Sequence, residues 1–175
     1  MRNRIGEPAG LRWVVRGFDQ PIAAAEPFEA AVCVGNSLPL APDMAAVERA
    51  IGHMLASVRS RGVLVVHALN LWHLPDGPCV WQKCRPAASP SGEVLIVKGV
   101  HRCAAQGYVE LAVVEPAQGS FLKTESVRFL GLEAAELESM ARAAGADEIR
   151  FFGGYQDEPY DRQKSVDLLM VAKKL

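Results

Sequence analysis

Phe28-Glu29-Ala30-Ala31-Val32-Cys33-Val34-Gly35-Asn36-Ser37-Leu38 is a nearly unbroken apolar run that stops at a small, polar turn. Residues 29–34 read as a strand. Continuous apolar character predicts burial on both faces, as in a parallel sheet covered by helices. Gly35-Asn36-Ser37 then sets small polar groups at the strand's carboxyl end, where open α/β sheets hold ligands. The same three residue types also favour tight turns for backbone reasons alone.

The order of elements extends outward from this run. Pro39 and Pro42 hold the chain extended, and Asp43 is placed as a helix N-cap. Met44, Val47, Ile51, Met54, Leu55 and Val58 recur at helical spacing, with Glu48, Arg49 and Arg59 on the other side. Arg61-Gly62 is expected to close this helix. Residues 63–69 form a second buried strand, completing a right-handed βαβ unit. Upstream, residues 11–16 read as a short strand ended by Gly17-Phe18-Asp19-Gln20-Pro21. Downstream, residues 71–92 lack a period and read as loop. Three β-rich runs at 94–101, 108–114 and 126–130 are close enough to be antiparallel. Residues 71–131 are therefore expected to be a loop and β insertion within one α/β domain covering residues 1–175. Leu137, Met140, Ala141 and Ala144 predict a further helix ending at Gly145, followed by strands at 148–152 and 166–172.

The chain has 175 residues, half of them apolar, which is enough for one substantial core. Its net charge of −1, from 19 basic and 20 acidic residues, gives no footprint for nucleic acid or an anionic membrane surface. The absence of a long apolar run or charged leader predicts a soluble, cytoplasmic protein. Cys33, Cys79, Cys84 and Cys103 are expected as reduced thiols. Cys79 and Cys84 with His101 and Cys103 do not have the spacing of a structural zinc site, so no metal is expected. His53 is assigned to a helix surface or a partly buried position, and His67, inside an apolar strand, to the core.

Phe28–Leu38, the Arg61-Gly62 junction into Val63–Val66, and Asn70 carry a resemblance shared by Gly154-Tyr155, Pro159-Tyr160-Asp161 and Ser165–Lys173. Together they resemble the second half of a class I S-adenosylmethionine-dependent methyltransferase, especially the small-molecule N-methyltransferases of the glycine/sarcosine type. The resemblance runs from about residue 11 to the end. It implies an α/β fold: a partial Rossmann-like methyltransferase sheet lacking the first two strands, with an antiparallel β insertion. It also implies S-adenosyl-L-methionine as cofactor and a small molecule as substrate. The implied cofactor-binding residues are Asp19, Gly35, Asn36, Ser37 and Leu38. Asn70, Trp72, Tyr155 and Tyr160 are candidate substrate-facing residues, with His73, Trp81 and Asp161 nearby; the alternative is structural, with Asn70 forming a turn and the aromatics anchoring their loops to the core. No catalytic residue is assigned, because methyl transfer depends on positioning and desolvation rather than on acid–base chemistry.

The departures from the family qualify this. No glycine-rich loop or acid-ended strand precedes residue 11, Glu29 stands where the family has Asp, and the family's adenine-side acid is replaced by Phe18 or shifted to Asp19. A truncated enzyme is therefore expected, with weak or absent cofactor binding by this chain alone. The inner edge of the 29–34 strand is expected to need cover from the residue 11–16 strand rearranged against it, a homodimer partner or a separate chain. The alternative expectation is a non-catalytic interaction or regulatory module, or one half of a split methyltransferase.

Overall fold

The computed structural model describes residues 11–90 and 92–175. Its first sheet contains β1 (Phe28–Cys33) and β2 (Val58–Leu69), joined by helix α1 (Met44–Ser57). A second sheet follows, made of β3 (Val80–Ser89), β4 (Gly92–Cys103), β5 (Gln106–Glu115) and β6 (Ser120–Leu130). Helix α2 (Ala134–Ala143) then returns the chain to the first sheet, which β7 (Ala146–Phe152) and β8 (Asp167–Lys174) complete.

The first sheet has the order β1-β2-β8-β7. β1 and β2 are parallel, and β8 runs antiparallel to both of its neighbours. The second sheet is wholly antiparallel, in the order β3-β4-β5-β6. The main core lies on one face of the first sheet. Val47, Ile51 and Leu55 of α1 and Leu137 and Ala141 of α2 pack there on Leu64, Val66, Ala68, Leu168, Met170 and Ala172. The alternation along β2 follows from this one-sided cover: residues 64, 66 and 68 are buried, while 63, 65, 67 and 69 are half-buried. Asp43 caps α1 by accepting from the Ala46 N–H at 2.7 Å. A smaller core of Leu71, Leu74, Val100 and Phe129 fixes the second sheet.

Several sequence expectations are corrected. β1 is not buried on both faces: it is an edge strand among the described residues, with Phe28, Val32 and Val34 exposed. Residues 11–16 form no strand, and Leu11, Trp13, Val14 and Val15 are exposed. Arg61-Gly62 does not close α1, which ends at Ser57 and passes directly into β2. Instead it makes a bulge, where the register jumps from Phe28↔Val58 to Ala30↔Val63 and Arg61 takes a left-handed φ of 61°. Gly62 is required there, since a Cβ would fall 2.7 Å from the Glu29 carbonyl oxygen. Residues 80–89 are strand rather than loop. Pro86 is tolerated there because β3 is an edge and pairs only with β4.

Candidate functional site

The carboxyl ends of β1 and β2 meet the amino end of β8 at one rim of the first sheet. At β1 the chain turns through two consecutive left-handed residues, Gly35 at φ 74° and Asn36 at φ 60°. Glycine bears this without penalty, and asparagine is the L-residue that tolerates it best. β2 holds the turn at two points. Asn36 Oδ1 accepts from the Leu69 N–H at 2.9 Å, and His67 Nδ1 accepts from the Gly35 N–H at 3.2 Å. Ser37 donates its hydroxyl to the Val34 carbonyl at 2.7 Å. Leu38 is fully buried and begins a 3-10 turn, Leu38–Leu40, that anchors the segment in the core. Val34 remains exposed, and a Cβ at Gly35 would meet nothing within 4 Å, so this main chain is open to a ligand.

His67 joins three elements. Besides Gly35, its ring lies 5.3 Å from the ring of Tyr155, centroid to centroid, and its Nε2 lies 3.1 Å from Asp167 Oδ1 at the start of β8. That contact is within ion-pair range but poorly aligned, so the buried Nε2 makes no directed hydrogen bond. Tyr155 is itself largely exposed over the rim.

At the neighbouring strand end the geometry is closed. Asn70 is 1% exposed. Its Nδ2 donates to the carbonyls of Arg162 (2.9 Å) and Ser165 (2.6 Å), and its Oδ1 accepts from the Trp72 N–H (3.3 Å) and the Tyr160 hydroxyl (3.2 Å). Two donors and two acceptor sites are the whole capacity of an amide. Trp72 donates its Nε1–H to the Leu132 carbonyl and lies beneath Arg162, whose guanidinium is 4.3 Å from the ring centroid. Arg162 also forms a bidentate pair with Glu133, which raises its pKa. Burial first, then the Glu133 carboxylate, pushes the Tyr160 phenol up to about 12, against a smaller opposing effect of Arg162. The Asp161 carboxyl is held below its usual range, chiefly by the Gln163 N–H and further by Lys164. His73 lies 3.3 Å, through Nδ1, from the Gln163 carbonyl oxygen.

The structure thus brings Gly35, Asn36, Ser37 and Leu38 together with Tyr155, and separately gathers Asn70, Trp72, Tyr160 and Asp161. Asp19 joins neither group. Its carbonyl lies 3.2 Å from His53 Nε2, ten residues along α1 from the Asp43 cap, roughly 15 Å from that end of the helix. Trp81 is exposed on β3 of the second sheet. Cys84 and Cys103 are exposed, and among the described residues no three potential metal ligands gather. Burial raises the Cys33 thiol pKa. Sequence reading missed His67 and Asp167. The available signal was a histidine interrupting an apolar strand two residues before its end, on the face that α1 and α2 leave uncovered.

No protein-family model matches the chain, and no curated protein matches it by sequence. Solved structures do match. SAM-bound CalS10, an amino pentose methyltransferase from Micromonospora echinaspora involved in calicheamicin biosynthesis, superposes with a TM-score of 0.70 at 19% identity. That match covers 99% of this chain and 68% of CalS10. The CcbJ methyltransferase from Streptomyces caelestis gives 0.72 at 15% identity, over 93% of this chain and 67% of CcbJ. The sugar N-methyltransferase KedS8 from Streptoalloteichus sp ATCC 53650 gives 0.66 at 20% identity, over 91% of this chain and 60% of KedS8. The fold is that of the class I S-adenosylmethionine-dependent methyltransferases. At these identities the likeness is one of architecture, and the chain spans 60% to 68% of these three proteins' lengths. Among the described residues, no helix of this methyltransferase-like fold is long and apolar enough to cross a membrane.

Proposed function

We propose that this chain takes part in methyl transfer from S-adenosylmethionine to a small amine-bearing molecule, at the rim formed by β1, β2 and β8. The observation that carries the reading is the open Gly35-Asn36 turn at the carboxyl end of β1, in a sheet of methyltransferase architecture. Ligands bind at that end of open α/β sheets.

The residues at the rim fit one side of such a cofactor. The Val34–Gly35 main chain and the exposed Val34 side chain would lie along it. When bound, S-adenosylmethionine supplies an electrophilic methyl group on a sulfonium sulfur. The chain's own part is to orient the acceptor for in-line attack and to exclude water, which accounts for much of the rate in reactions needing little acid–base help. The Asp167 carboxylate and the Tyr155 ring border the rim, and both attract cations, which favours an amine as acceptor. Asn70 and Tyr160 act indirectly, by fixing the 160–165 loop beside it. Asp19 has no place in this arrangement, and no other acid of the described rim is assigned to the ribose.

Isothermal calorimetry with S-adenosylmethionine and S-adenosylhomocysteine tests the reading. Saturable binding is expected, with Kd on the order of 0.1–1 mM. Absence of heat at about 1 mM of either ligand would overturn it.

A further inference from the structure

We infer that His67 is a positioning residue, fixed as its Nε2–H tautomer, which holds the Gly35-Asn36 turn from β2 and releases it when the ring is protonated. The Gly35 N–H can only donate, so Nδ1, 3.2 Å away, must present a lone pair. A neutral imidazole carries one proton, which therefore sits on Nε2. The surroundings agree: Nε2 is buried and faces the Asp167 carboxylate at 3.1 Å, a group able only to accept when ionised. A base acting from this ring would have to use Nδ1, and that lone pair is occupied by Gly35.

The turn needs such a restraint. Two successive left-handed residues are sparsely populated in a free chain, and both bonds that fix them come from β2, at His67 and at the Leu69 N–H. Protonation would place an N–H at Nδ1, donor against donor, and the Gly35 bond would be lost. The ionisable groups that face the ring are Asp167, from β8, and Tyr155, from the β7–β8 connection. Ring protonation and the conformation of the turn are therefore one equilibrium. Its meaning for the cofactor edge rests on the function proposed above; the latch itself does not.

The test is nuclear magnetic resonance on the full, ligand-free chain labelled with 15N. The ring nitrogens of His67 should show the Nε2–H pattern, and the Gly35 amide should titrate with the same midpoint as the ring. In His67→Leu the Gly35 amide should exchange with solvent about tenfold faster, the equivalent of one lost hydrogen bond. In His67→Asn, whose Oδ1 can occupy the place of Nδ1, exchange should stay within about threefold of the parent. An Nδ1–H tautomer, or a Gly35 amide indifferent to the ring's titration, would overturn the inference. Should His67→Leu fail to fold, the tautomer and the shared midpoint in the unsubstituted chain decide it. Because no ligand is present, a negative calorimetric result would sink the proposed function while leaving these readouts intact.

Discussion

The carboxyl ends of β1 and β2 lie side by side and are built in opposite ways. At β2, Asn70 is buried with every hydrogen-bonding position of its amide used inside the fold. At β1, Gly35 and Asn36 stand open, held by two bonds from the neighbouring strand. The difference separates a polar residue at a sheet's rim that serves the fold from a turn that is left exposed there. A buried amide with no free position can shape a site only through the loops it holds. An exposed turn with approachable main chain can touch the ligand directly.

Removing the closed side should have the largest effect. Asn70→Ala leaves the carbonyls of residues 162 and 165 and the Tyr160 hydroxyl without their partner. Each of these three hydrogen bonds is worth about 1 kcal/mol, so a loss of about 3 kcal/mol is expected in urea unfolding. A loss below about 1 kcal/mol would mean the Asn70 corner is not the lock its geometry describes. At the open side the expected change is smaller and of a different kind. Gly35→Ala meets no steric obstacle, yet it places a Cβ on a residue at φ 74°. The backbone penalty is about 1–2 kcal/mol. If the β1 rim is the ligand-facing one, S-adenosylmethionine binding should weaken more in Gly35→Ala than in Asn70→Ala, measured where both remain folded.

Much of this contrast was legible in the sequence, and the limits of that reading have physical causes. The βαβ unit was readable because Val47, Ile51 and Leu55 repeat at a helix's period and residues 63–69 form an apolar run. The Gly35-Asn36-Ser37 turn was readable because few residue types accept positive φ. The one-sided cover of the sheet was not, since Val32 and Val65 look like core residues whether or not anything covers them. Nor was β3, where residues 80–89 carry no clear period and an edge strand accepts Pro86. The structural role of Asn70 was not readable, because the two carbonyls that its amide holds lie more than ninety residues away. His67 was missed for the same reason: its place in an apolar strand is local, while its link to Asp167 spans the whole second sheet.

The smallest effect probes the closed corner without dismantling it. Tyr160 donates to Asn70, and its phenol is pushed from an ordinary 10 up to about 12, first by burial and then by Glu133. In the unfolded chain the phenol ionises near 10, while in the folded chain it keeps its proton until about 12. Between those values the unfolded state binds fewer protons, so stability must fall as pH rises. The contribution is fully present below pH 10 and is lost progressively up to about pH 12. The residue is half-exposed, so solvent screening keeps the effect modest. Tyr160→Phe removes the titrating group together with one hydrogen bond. Its stability deficit relative to the parent should therefore be constant below pH 10 and shrink above it, in urea titrations across that range. A deficit that stays parallel at all pH values would show that Tyr160 ionises alike in both states. The phenol would then be no part of a closed corner, and the contrast between the two strand ends would rest on the Asn70 amide alone.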